Sequence, residues 1–207
     1  KETIIASKNI RFEGDGYSEE WKKEAEGRGL TNICHVPEAI MRFNDPQSRS
    51  VLIGEKVFNE NELNCRIEVE LEKYTKKVQI ESRVLGDMAI NHIIPTAVIY
   101  QNRLLENLRG LRETFSTEEY EYLGAERREL VKEIQLHTME IKKLVREMTN
   151  ARHIANRLSS QVEKAYSYQD SVSSYMEKIR EHIDDLEMEI DDEIWPLPKY
   201  RELLFTK

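Results

Sequence analysis

The sequence predicts an all-α protein: a long antiparallel up-down-up three-helix bundle or coiled coil, preceded by a short, irregular helical N-terminal region. Three observations predict it. Among 207 residues there are only 8 Gly and 5 Pro, so turns are scarce and long uninterrupted elements are expected. From residue 63 to residue 190 the apolar positions recur at spacings of three and four, the period of a helix face. Capping and turn chemistry is confined to a few points, which divide the chain into a few long helices.

Residues 1–58 read as a connecting region of short elements broken by turns. Gly14 and Gly16 flank Asp15 in a turn where glycine can take positive φ. Ser18 then stands at an N-cap, with Glu19 and Glu20 placing negative charge on a first turn, and the helix should end near Gly27 or Gly29. Pro37 suits the first turn of another short helix, which should stop before Asn44-Asp45-Pro46.

The bundle is expected over residues 59–193, with helices at about 60–115, 119–167 and 170–192. In the first helix Leu63, Ile67, Leu71, Tyr74, Val78, Leu85, Ala89, Ile93, Thr96, Ile99, Leu104, Leu108, Leu111 and Phe115 carry the pattern. Pro95 lies inside it and removes a backbone donor, which predicts a kink instead of an end, because the pattern resumes without a new cap. Ser116 and Glu119 form a capping-box signature where the chain reverses. The second helix repeats at Leu130, Ile134, His137, Ile141, Leu144, Met148, Ala151, Ala155, Leu158, Val162 and Ala165, a coiled-coil spacing. Asp170 or Ser171 is the expected cap of the third, whose seam is Val172, Met176, Ile179, Ile183, Leu186 and Ile190. Pro196 and Pro198 end it.

Residues 194–207 are too apolar for a solvated tail. Trp195, Leu197, Tyr200, Leu203, Leu204 and Phe205 form a candidate interface, packing back on the bundle or on a neighbour.

Charge argues against a nucleic-acid partner: 31 Lys and Arg against 39 Asp and Glu leave a net charge of -8, which repels a phosphate backbone. No apolar run reaches the length of a membrane span, and no signal peptide leads the chain, so a cytoplasmic location is expected. Cys34 and Cys65 lack metal or redox spacing and read as reduced structural thiols. The chain begins at Lys1, which suggests a piece of something longer.

No catalytic, cofactor-binding or metal-binding residue is assigned from the sequence. A carboxylate-bridged metal pair in a bundle needs Glu-x-x-His, but Asn32, Ala89, Ile134, Asn150 and Ile179 stand three residues before the five histidines. His137 lies on the apolar seam, where a hydrogen-bonded core histidine is preferred to a metal ligand. The acidic run Asp184, Asp185, Glu187, Glu189, Asp191, Asp192 and Glu193 reads as a solvated face near a helix C-terminus, in need of basic partners such as Lys199 and Arg201. There is no Walker A loop and no strand-borne GxGxxG.

The stretches at 14–32 (GDGYSEEWKKEAEGRGLTN), 57–102 (with Ile94-Pro95 followed by Tyr100-Gln101) and 191–205 (DDEIWPLPKYRELLF) resemble the C-terminal region of type III glutamine synthetase. Residues 103–170 carry the likeness weakly. The resemblance implies a parent ligase that makes glutamine from glutamate and ammonia, using ATP and Mg or Mn, and that assembles as stacked homo-oligomeric rings. It places the metal, nucleotide and glutamate contacts in domains upstream, so no cofactor is expected in this segment and no catalytic residue carries over. The implied role is structural, with the catalytic domains of the same polypeptide and neighbouring subunits as partners. The alternative reading is a stand-alone helical scaffold or adaptor, which an initiator methionine directly before Lys1 would favour.

Overall fold

A computed structural model of the protein describes residues 2–204. Every regular element among them is helical, and there is no strand. Two compact units are formed, residues 1–67 and residues 68–207, and the division falls within a long helix.

In the first unit, α1 (Glu2–Ala6), α2 (Glu19–Gly27), α3 (Val36–Met41) and α4 (Pro46–Gly54) follow one another through short turns. The turn before α2 is built differently from the expectation. Gly14 and Gly16 are not in the left-handed region; instead the Tyr17 amide donates to Asp15 Oδ1 at 2.9 Å, so a side-chain acceptor closes the turn without positive φ. Ser18 Oγ accepts from the Trp21 amide at 3.2 Å, and Phe12 stacks on Trp21 with ring centroids 4.1 Å apart. Gly29, at φ 74°, terminates α2, with the Leu30 amide donating to Ala25 O. The Asp45-Pro46 pair expected to stop a helix also starts one, since Pro46 occupies the first turn of α4. Cys34 and Cys65 are free and exposed, so neither is a packed structural thiol.

The long helix begins at α5 (Glu60–Met88) with a reciprocal cap that the sequence reading passed over: the Asn59 amide donates to Glu62 Oε2 (2.8 Å) and the Glu62 amide to Asn59 Oδ1 (2.9 Å). It continues through a π-helical turn (Ala89–Ile93) into α6 (Ile94–Thr114). The π turn directly precedes Pro95, whose ring would crowd the carbonyl four residues back in a straight α-helix, and widening that turn relieves the crowding. It also shifts the helix face: Ala97 becomes fully buried while Ile99, expected on the seam, is 52% exposed.

At the reversal, the Ser116 amide donates to Glu119 Oε2 (3.0 Å) and the Glu119 amide to Ser116 Oγ (3.4 Å); the Ser116 hydroxyl, which donates to the same carboxylate at 2.7 Å, and the Ser116 amide hold the Glu119 carboxyl below its usual pKa. A short helix α7 (Thr117–Leu123) ends at Gly124, where a Cβ would lie 3.0 Å from the Tyr120 carbonyl oxygen and 3.2 Å from Leu108 Cδ2. Helix α8 (Ala125–Asn156) then packs against both α6 and the last long helix. That last helix starts earlier than expected. The chain turns at residues 157–160, not near residue 170, and Ser160 Oγ caps α9 (Gln161–Ser167) by accepting from the Glu163 amide. Asp170 and Ser171, the expected caps, lie in a second π turn (Tyr168–Ser173) that joins α9 to α10 (Ser174–Glu189).

Side-chain contacts fix the directions within this unit. Gln79 meets Asn156 while Gln101 meets Val131 O, so α5–α6 and α8 run oppositely; Asn156 meets Tyr168 while His137 meets His182, so α8 and α9–α10 do too. Ile134, Ile141, Met148, Ala155, Ile179 and Leu186 are essentially inaccessible at the centre. Tyr168, also fully buried, donates its hydroxyl to Asn156 Oδ1 at 2.8 Å.

Burial raises the pKa of Tyr168 and of the half-buried Tyr74 above the ordinary 10.0. Each phenol is therefore neutral in the fold at a pH where the unfolded chain has begun to ionise. The contribution to stability is complete below about pH 10 and is lost as pH rises through the folded-state values. Chemical denaturation between pH 8 and pH 11 should show a falling midpoint only at the alkaline end, and Tyr168→Phe should flatten that fall.

Candidate functional site

The six apolar tail residues do not form one surface. Trp195 is 7% exposed and belongs to the bundle core, and Leu197 is half-buried against the same core. Leu203 and Leu204 are 64% and 68% exposed. Tyr200 begins the short helix α11 (Tyr200–Leu203), and Phe205 lies outside the described residues. Two residues of the tail thus complete the domain that precedes them, and two more present apolar surface outward.

Lys199 is the residue that ties the tail down. Its ammonium donates to Glu187 O at 2.7 Å and Ile190 O at 3.3 Å, pairs with Asp192, and sits 6.0 Å from the Trp195 ring centroid. It therefore neutralises the negative end of α10 and satisfies carbonyls that a helix end leaves without partners. The acidic run finds further relief in Arg103, 3.5 Å from Asp191, and Arg180, 3.4 Å from Asp184.

A second constellation was not anticipated. His137 on α8 and His182 on α10 approach with Nδ1 atoms 3.0 Å apart and rings edge-to-face, and Asp185 Oδ2 lies 3.8 Å from His137 Nδ1. The two imidazoles are half-buried and the carboxylate is exposed. Neutral histidines can share such a contact, since one Nδ1–H donates to the other Nδ1 lone pair. Its local signature is His182-x-x-Asp185, not Glu-x-x-His, and it is completed by a histidine 45 residues earlier that only the helix pairing supplies.

These three are the one group of three or more His, Cys, Asp or Glu side chains among the described residues whose donor atoms converge. Such a nitrogen-rich set does not suit a nucleotide with Mg²⁺, which takes oxygen ligands. Residues Lys8, Arg11, Phe12, Glu13, Gly14 and Arg28 line an open cleft of 390 Å³.

Residues 1–112 match the family model of the glutamine synthetase C-terminal domain. The chain is 70% identical over its whole length to a glutamine synthetase of Bacteroides fragilis, 28% identical to a type-3 glutamine synthetase of Dictyostelium discoideum, and 26% identical to a glutamine synthetase of Butyrivibrio fibrisolvens. It spans only 28% of the length of the first two and 29% of the third. No helix among the described residues is long and apolar enough to cross a membrane. The match of the family model over more than half of the chain settles the matter: this chain belongs to the glutamine synthetase C-terminal domain family.

Proposed function

We propose that the chain is the helical end of a type III glutamine synthetase, a cytoplasmic ligase joining ammonia to glutamate with ATP and Mg or Mn, and that it organises subunit packing within or between homo-oligomeric rings. The observation that carries the assembly reading is unsatisfied apolar surface. Ile4, Ile5, Ile10, Phe43, Val51 and Val57 are each more than half exposed in the first unit, as are Leu203 and Leu204 in the second. The first group suits the catalytic domains of the same polypeptide, and the tail pair suits a neighbouring subunit. In this reading ATP and its metal are held elsewhere in the polypeptide.

Deleting residues 194–207 is a poor test, since it removes Trp195 from the core. The test is the full-length protein carrying Leu203→Glu and Leu204→Glu together, weighed by native mass spectrometry. The expected result is a particle of fewer subunits with helix content retained; an unchanged particle removes the tail from assembly. Glutamine formation from glutamate, ammonia and ATP by the unsubstituted full-length protein tests the parent activity, and its absence would sink that part of the reading.

A further inference from the structure

We propose that His137, His182 and Asp185 form a binding site for one divalent transition-metal ion of the zinc class, clamping α8 to α10. The site is independent of the ligase reading. Its donors are two imidazole nitrogens and one carboxylate oxygen, all within 4.8 Å of one another. Zn²⁺ bound to nitrogen at about 2.0–2.1 Å in tetrahedral geometry separates its ligands by about 3.3 Å. The separations are 3.0 Å between the two Nδ1 atoms, 3.8 Å from His137 Nδ1 to the carboxylate, and within 4.8 Å for the remaining pair. Closing on an ion thus draws the donors together by at most about 1.5 Å, within the reach of side-chain rotation.

The backbone supplies the preorganisation. His182 and Asp185 are three residues apart on α10 and so share a face, while His137 comes from α8, which packs along α10. Ile134, Ile141, Ile183 and Leu186 are buried beside the donors on both helices, and fix where each backbone stands. Half-burial of both rings lowers competition from water without sealing the site. Asp185 offsets one of the two positive charges, and its exposure leaves a fourth position open to water.

The proton count is simple. In the metal-free pair one imidazole carries its proton on Nδ1 and donates it to the other. Coordination needs both Nδ1 lone pairs, so that proton moves through solvent to Nε2 of the same ring, and neutral histidines release none on binding. A hard ion such as Mg²⁺ gains little from two imidazoles, which gives the site its selectivity.

The test uses the full-length protein with Mg²⁺ in excess, so that oxygen-rich sites elsewhere are filled. Histidine modification by diethylpyrocarbonate is followed by peptide mass mapping with and without Zn²⁺. At ten times the dissociation constant only about one site in eleven is empty, so His137 and His182 should react about tenfold more slowly. His182→Gln should abolish the Zn²⁺ protection of His137, and Asp185→Asn, at an exposed position, should weaken it while leaving helix content unchanged. Equal modification rates with and without Zn²⁺, or protection of His137 that survives both substitutions, would overturn the proposal.

Discussion

Tyr168→Ala should lower the unfolding free energy by about 3–5 kcal/mol, the range for deleting a buried aromatic ring. Tyr168 is the largest fully buried side chain among the described residues and sits where three segments meet: the π turn that carries it, the end of α8 at Asn156, and α5 at Gln79. An alanine would leave a void lined by helices that cannot collapse, because each is held by its own seam. Tyr168→Phe separates the two contributions. It keeps the ring and removes only the hydroxyl bond to Asn156, for an expected loss of about 1 kcal/mol. Urea denaturation of the 207-residue chain, followed by far-ultraviolet circular dichroism, measures both. A loss below 1 kcal/mol for the alanine would mean that the π turn does not place this ring in the core.

Trp195→Ala should cost about 3 kcal/mol in the same measurement. The indole is 7% exposed and joins the core beyond the end of α10. The expectation stays at the low end for a tryptophan because its Nε1 is buried without a hydrogen-bond partner among the described residues, so substitution also removes a desolvation penalty. The contrast with Leu203 and Leu204 is the informative part. Substituting Trp195 should weaken the fold and particle assembly together, whereas the exposed leucines should affect assembly alone. Equal effects on chain stability would erase the distinction drawn within the tail.

The helical class was legible because apolar spacing reports helix period directly. Ile134, Ile141, Met148, Ile179 and Leu186 were all placed on buried seams by that signal alone. The reversal at residues 157–160 was not legible in the same way. Leu158, Val162 and Ala165 continue the three-four spacing across it, and a pattern of spacing is blind to a change of direction that preserves it. Ser160 and Glu163 did carry a local start signal, which the unbroken periodicity concealed. Tyr168 lies on the same spacing, three residues after Ala165 and four before Val172, but the helix break expected near residue 170 leaves it outside both assigned seams. The resemblance to glutamine synthetase rests on particular side chains such as Pro95, which lies within the residues that the family model matches, whereas periodicity reports only a shape. The histidine pair needed the register between helices, which no single stretch of sequence contains.

The two π turns differ in what they permit. A π turn holds one residue more than an α turn, so losing a residue there restores ordinary helix without rotating the flanking faces. At residues 168–173 that deletion would keep α10 in phase with α8, making the segment a natural place for chain length to vary. At residues 89–93 the same deletion would press the Pro95 ring against the carbonyl four positions earlier, so the extra residue there is retained by steric necessity. One irregularity is a tolerated insertion and the other an obligatory spacer, although both look alike in a trace of the backbone.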